Sequence, residues 1–412
     1  MQRLATLSAD IKQYLVVTGN YWAFTLTDGA LRMLIVLYFH QLGYSPLSIA
    51  MLFLFYEVFG VVTNLVGGYL GARFGLNNTM NIGLAIQIIA LFMLAVPAEL
   101  LTIAYVMCAQ ALSGIAKDLN KMSAKSAIKM LVAAGQEGTL FKWVALLTGS
   151  KNALKGVGFF LGGLLLTLLS FKGAVLLMGS ALALVWCYSL YALRDNFGKA
   201  KNKPKFTDIF SKSRSINILS GARLFLFGAR DVWFVVALPV FLSQIFNWQH
   251  WTVSAFLALW VIGYGFVQSI TPKLIQLNKG ISPAKETCKW ALILSIVTFI
   301  IALSLYFQWF VQVVLLFGVM VFGVIFAINS SLHSYLIVSM ADSDGVSLDV
   351  GFYYMANAMG RLIGTLLSGL IFQLYGLQAC LAISFLFIIL AAILSMKLPP
   401  FKSQNKNNLT LG

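Results

Sequence analysis

Apolar runs separated by short polar breaks follow one another from Tyr14 almost to the end of the chain. A helix needs about 20 residues to cross the hydrocarbon of a bilayer. Runs on that scale fall at 14–40, 46–72, 79–97, 101–121, 140–169, 173–194, 217–245, 251–276, 287–307, 310–338, 349–374 and 377–397. Lipid offers no partner to a bare peptide group, so spans of this kind are helices. The pattern predicts an all-α membrane protein with twelve transmembrane helices. One connection differs from the rest: residues 195–216, DNFGKAKNKPKFTDIFSKSRSI, are polar and basic. They serve as a linker between an N-terminal six-helix bundle, 1–194, and a C-terminal six-helix bundle, 217–412.

Composition agrees with the pattern. Of 412 residues, 60% are hydrophobic and 10% charged, more apolar surface than a soluble domain can hide. The formal net charge of +16 would suggest nucleic acid in a soluble protein. Here the charges sort by side. Arg3, Lys12, Arg73, Lys121, Lys125, Lys129, Arg194, Lys199, Lys201, Lys203, Lys205, Lys212, Arg214, Lys273, Lys279, Lys285, Lys289, Lys397, Lys402 and Lys406 fall on one side of the predicted helices, against Lys172 on the other. The positive-inside rule then puts both termini and the linker in the cytoplasm, for a multi-pass protein of the cell (inner) membrane. No nucleic-acid partner is expected, and no cleavable signal is expected before the first span. Cys108, Cys187, Cys288 and Cys380 are scattered singly, so no thiolate metal site or other cofactor is expected. No GxxxxGK[ST] motif occurs, so ATP hydrolysis is not expected and the chain does not read as an enzyme.

Ionisable residues inside the spans carry the chemistry, because a charge at the bilayer centre costs about 2.5–3.5 kcal/mol. Lys151 and Lys155 are four apart in the fifth span and share one helix face. They suit either an anion or a structural ion pair with an acid on another helix. Arg361 lies at similar depth in the eleventh span, and its planar fork suits phosphate or carboxylate. Asp28 and Arg32 are spaced to pair within the first span; a substrate or proton role is the alternative. Arg230 is a substrate candidate, while Arg223, nearer a helix end, is expected to snorkel, as is Lys142. Glu57 is a lone acid that either neutralises a cation or carries a proton, and Asp231 is a further proton-coupling candidate. Lys117, Lys121 and Lys125 form a basic stripe on the fourth span. It reads either as a helix end meeting lipid headgroups or as a way in for an anion, through Lys117 and Lys121. Asn20, Asn152 and Asn357 could donate to substrate oxygens or join helices; His40 and His333 read as packing residues. The cations Lys151, Lys155, Arg230, Arg361 and Arg32 outnumber Asp28, Glu57 and Asp231, which implies a small-molecule ligand with more than one negative charge.

The two halves of the chain echo each other. SKNALKGVGFFLGG is similar to MANAMGRLIGTLLSG, setting Asn152 against Asn357, and Gly173 answers Gly376 as Asp28 answers Asp231, offsets of 203 to 205 residues. A six-plus-six repeat of this kind resembles the major facilitator superfamily, whose site lies at mid-membrane between the halves. GGYLGARFGLNN, after the second span, resembles that superfamily's loop signature G-x-L-a-D-R-x-G-R-K, with Ala72 in the acidic place and Asn77 and Asn78 in place of the basic pair.

Longer segments narrow the resemblance. VTGNYWAFTLTDGALRMLIVLYFH, GIAKDLNKMSAKSAIK, FKWVALLTGSKNALKGVGFFLGG and KPKFTDIFSKSRSINILSGARLFLFGARDVWFVVALPVFL resemble the organoarsenical efflux permeases of the ArsJ type. That resemblance implies export of 1-arseno-3-phosphoglycerate, made by a companion glyceraldehyde-3-phosphate dehydrogenase acting on arsenate, with arsenate resistance as the result. It implies a functional partnership with the dehydrogenase, and a monomer is expected. Two other readings are kept, the first of which uses the same cations. One is an organophosphate/phosphate antiporter for phosphoglycerates or sugar phosphates. The other is a membrane sensor that docks the dehydrogenase through the linker.

Overall fold

The computed structural model describes residues 9–44, 52–132, 135–193, 197–200, 213–248, 250–275 and 283–398. Among them the chain is helical, with no strand. In order the helices are α1 (Ala9–Gln41), α2 (Leu54–Phe74), α3 (Leu76–Met93), α4 (Ile103–Leu131), α5 (Glu137–Ala192), α6 (Arg214–Phe234), α7 (Ala237–Ile245), α8 (His250–Leu274), α9 (Pro283–Phe307), α10 (Val311–Met340) and α11 (Val346–Met396). Local sequence explains several ends. Thr102 and Ser213 cap α4 and α6 by accepting from the amides of Tyr105 and Ile216, each at 3.3 Å.

Two helices are broken. α5 bends at Ser170 (φ 60, ψ 173) and α11 at Gly376 (φ 77, ψ −177). The breaks fall between the runs read at 140–169 and 173–194, and between those at 349–374 and 377–397. The register of the repeat needs a correction, however: Ser170, not Gly173, has the backbone of Gly376, and Gly173 is helical. Among the described residues nine helical stretches are long and apolar enough to cross a membrane. α4, with 29 residues, is long enough, but Lys117, Asp118, Lys121, Lys125 and Lys129 make it too polar to count among them.

Close helix crossings rest on glycine. A Cβ on Gly158 of α5 would stand 2.7 Å from the Leu26 carbonyl oxygen of α1, and one on Gly364 of α11 would stand 2.7 Å from the Gly228 carbonyl oxygen of α6. Bare Cα atoms thus let α1 and α5, and α6 and α11, pack backbone to backbone.

Three apolar cores follow. One draws only on residues of the first half, between Phe24 and Leu182, and another only on the second half, between Leu226 and Ala392. The third joins both halves: Tyr14, Val17, Ile128, Leu131, Leu140 and Phe141 pack with Leu332, Tyr335, Val346, Val350 and Tyr353. Leu193 and Ile216, which flank the linker, belong to it, so we call this the linker side. The halves are fused there and have separate cores elsewhere.

Candidate functional site

The crossing of α1 with α5 sets Gly29 against the backbone of Lys155, bringing Asp28 and Arg32 near Lys151 and Lys155. The matching crossing sets Gly364 against Asp231, and so brings Arg361 to α6. α2 contributes Glu57, and α4 contributes Lys117, Asp118 and Lys121. The result is a layer of charge between the halves.

Its centre is Arg361. Its Nε donates to Asp231 Oδ2 at 3.2 Å, and its NH2 lies 3.4 Å from Glu57 Oε1 on the other half of the chain. Glu57 Oε1 also accepts from Arg32 at 3.3 Å, and Asp231 Oδ1 takes Arg230 at 2.6 Å. Asp231 is fully buried, yet Arg361 keeps 31%, Glu57 29% and Arg32 28% of their side-chain exposure. Side chains that wet, two of them well inside long helices and Glu57 in the first turn of α2, line a gap between the halves. Glu57 therefore does neutralise cations, two at once, and Arg361 has carboxylate partners that lie on other helices.

Asp28 and Arg32 do not pair as their spacing predicted. Asp28 Oδ1 accepts from the Tyr56 hydroxyl at 2.7 Å, while Arg32 turns to Glu57 and lies over the rings of Phe53 and Tyr56. The headgroup reading of the lysine stripe also fails. Lys121 sits 2.6 Å from Asp118 and over the Tyr354 ring, Lys117 sits 3.7 Å from Asp118 and over the Tyr56 ring, and Lys125 is buried. α4 continues to Leu131 instead of ending at 121, so these lysines lie inside the bundle. Asp118 is the residue that sequence reasoning missed. It stands in the middle of the stripe it neutralises, and its spacing from Lys117 and Lys121 was the available signal.

Arg223 does not snorkel. It is 3% exposed, donates to Asn357 Oδ1 at 2.9 Å and to Ser330, and lies 3.8 Å from the Phe227 ring centroid. Its guanidinium outreached the small amide and a hydroxyl that wait inside. Asn152 donates to Gln268 Oε1 of α8 at 2.5 Å, and Asn20 donates to Ser189 Oγ at 2.7 Å. Lys142 is exposed and His333 buried; the His40 side chain and residues 201–212 of the linker lie outside the described residues. Lys151 reaches Asn152 Oδ1 at 3.3 Å and Lys155 lies over the Phe159 ring at 5.8 Å. Among the described residues neither lysine makes an ion pair, although Asp28 is within electrostatic reach of both.

On the linker side the gap is shut by contacts between the halves. A Cβ on Gly68 of α2 would meet the Ser347 carbonyl oxygen of α11 at 2.5 Å, and one on Gly265 of α8 would meet the Gly149 carbonyl oxygen of α5 at 2.6 Å. Ser347 Oγ donates to the Gly68 carbonyl at 2.7 Å, and Lys129 Nζ to the Ser339 carbonyl at 2.8 Å.

The sequence model of the Major Facilitator Superfamily matches residues 17–284. The chain belongs to that superfamily. Solved structures with the same fold include the human organic anion transporter MFSD10 (TETRAN), with a TM-score of 0.76 at 15% identity, covering 94% of this chain and 100% of that one. They also include a bacterial homologue of the iron transporter ferroportin in its outward-facing state, with a TM-score of 0.73 at 12% identity, covering 95% and 99%. The proton:xylose symporter XylE has a TM-score of 0.73 at 15% identity, covering 96% and 97%. At these identities the likeness is one of fold. No curated protein sequence matches the chain.

As a member of the Major Facilitator Superfamily the protein is a multi-pass membrane transporter of small molecules and not an enzyme. Within the segment GGYLGARFGLNN, Gly68 and Gly71 pack directly on Ser347.

Proposed function

We propose that the chain is a secondary active exporter of a small polyanion, with 1-arseno-3-phosphoglycerate as cargo and arsenate resistance as the outcome. One observation carries the polyanion. Seven cations, Arg32, Lys117, Lys121, Lys151, Lys155, Arg230 and Arg361, share a layer with four carboxylates, Asp28, Glu57, Asp118 and Asp231, a surplus of three positive charges. Each uncompensated charge at this depth costs about 2.5–3.5 kcal/mol, a cost that an anionic cargo offsets. The arsenic reading rests on the resemblance of the long segments quoted above, and with it the partnership with the dehydrogenase.

The architecture we infer has twelve crossings. α4 adds one to the nine apolar stretches, and counting the arms of α5 and α11 separately adds two. Bundles 1–194 and 217–412 rock about the charged layer, and the linker side is cytoplasmic, in the inner membrane of a monomer. Closure of that side makes this the outward-facing form. Cargo binds Lys151 and Lys155 first, because no carboxylate occupies them. It then takes the fork of Arg361 from Glu57 and Asp231, with Arg230 and Arg32 alongside, and Asn152 and Asn357 at the margin. Glu57 and Asp231, once released, are the groups able to take a proton, with Asp28 beside them.

Uptake into inverted membrane vesicles tests this reading. With the dehydrogenase, its substrates and arsenate present, arsenic should accumulate inside, and omitting either enzyme or arsenate should abolish the signal. Rapid exchange of phosphoglycerate against inorganic phosphate, without arsenic dependence, would favour the antiporter and refute the arsenic cargo.

A further inference from the structure

Between the charged layer and the linker side lies a second group of cations, Lys125 and Arg223, with which no carboxylate among the described residues forms an ion pair. Lys125 of α4 is 2% exposed, and its Nζ has no hydrogen-bond acceptor. The charged groups among the described residues that act on it most strongly are Arg223, Lys151 and Lys121, all cations. Arg223 comes from α6 in the other half of the chain. Asn357 Oδ1 and Ser330 hold its guanidinium between the Phe227 ring at 3.8 Å and the Tyr353 ring at 5.3 Å. The Tyr353 hydroxyl and His333 Nδ1 are likewise buried without a partner, and His333 is within electrostatic reach of Arg223.

A buried donor left unmade is costly, and a buried cation without a counter-ion more so. Lys125 and Arg223 stand on opposite halves and repel each other wherever the halves close. The surroundings supply donors and positive charge, and lack an acceptor with negative charge. That is the complement of an oxyanion, which can take several donors at once and bridge two cations.

We propose that Lys125, Arg223 and Tyr353 form a second anion site, on the linker side of the charged layer, for a phosphate-type dianion. It would receive the terminal group of the cargo as it passes between that side and the layer. The proposal rests on the polyanion reading above, but it is tested separately.

The probe is labelled inorganic phosphate, with the full chain in nanodiscs of neutral lipid. Equilibrium binding and the thermal midpoint are measured together. Lys125→Gln is expected to raise the midpoint without phosphate, since it removes an uncompensated charge. It should also weaken phosphate binding at least tenfold, while Lys125→Arg, which keeps the charge, stays within threefold of the wild type. A purely structural lysine gives the opposite pair: a lower midpoint and unchanged affinity. A loss of less than tenfold in Lys125→Gln overturns the site. If only the double variant Lys151→Gln/Lys155→Gln loses phosphate, the second site falls and the polyanion reading stands. If the wild type binds no phosphate, the second site falls, and vesicle uptake still decides the exporter reading.

Discussion

Substituting Gly351 by alanine should loosen the linker-side closure and leave each half intact. In this structure a Cβ at position 351 would stand 2.5 Å from the Asn64 carbonyl oxygen and 2.9 Å from Gly68 Cα, where ordinary contact begins near 3.4 Å. Both neighbours belong to α2, in the other half of the chain, and both are backbone, so no side-chain rotation relieves the overlap. The helices must part by nearly 1 Å. Overpacking of this kind costs about 1–3 kcal/mol. The cost falls on the closed form alone, because α2 and α11 separate when the linker side opens. A bias of that size shifts a two-state equilibrium about 5- to 150-fold. The assay is labelling of a reporter cysteine by a hydrophilic maleimide, in a background with the native cysteines replaced. Ser334, on α10 of the linker-side core, is fully buried in the closed form, so Ser334→Cys reports opening. Labelling should quicken at least fivefold in Gly351→Ala. Gly369, also on α11, has nothing within 4 Å of its Cβ position, and Gly369→Ala should change nothing. Equal labelling in wild type and Gly351→Ala would refute the close crossing as the element that holds the linker side shut.

Arg361→Ala should weaken anion binding by about 3 kcal/mol, roughly a hundredfold, through loss of a charged fork. The fold should suffer little, since Glu57 keeps Arg32 and Asp231 keeps Arg230; a binding curve that superimposes on wild type would refute its role. Asp118→Asn leaves Lys117 and Lys121 without their carboxylate, and breaking such a buried pair costs about 3–5 kcal/mol. The detergent-solubilised variant should melt well below the wild type while binding anions no more weakly, and an unchanged midpoint would contradict the pairing.

The helices were legible because bilayer thickness imposes a length on apolar runs that no soluble fold requires. Residues 101–121 were read too short for the same reason: α4 runs on to Leu131 through Lys121, Lys125 and Lys129, which a hydropathy pattern excludes. Asp118 and the Tyr354 ring receive Lys121 inside the bundle, and the Ser339 carbonyl receives Lys129 at its end. The cations of the site were legible singly, and their partners were not. Arg361 meets Glu57 across 304 positions and Asp231 across 130, separations that carry no local periodicity. Arg32 had an acid one turn away in Asp28 and still took Glu57, because the Tyr56 hydroxyl satisfies Asp28. Lys151 and Lys155 are the pair for which spacing and structure coincide: they share one helix face with no acid on it, and although folding brings Asp28 near, no carboxylate among the described residues reaches ion-pair distance of either.

Those two lysines decide the account. The binding of 3-phosphoglycerate, the stable portion of the proposed cargo, should be measured on purified wild type and on Lys151→Gln/Lys155→Gln. Two lost contacts to a charged group, each worth about 1.5–3 kcal/mol, predict a loss of roughly a hundredfold or more. An affinity within threefold of the wild type would contradict the claim that surplus positive charge between the halves receives the cargo.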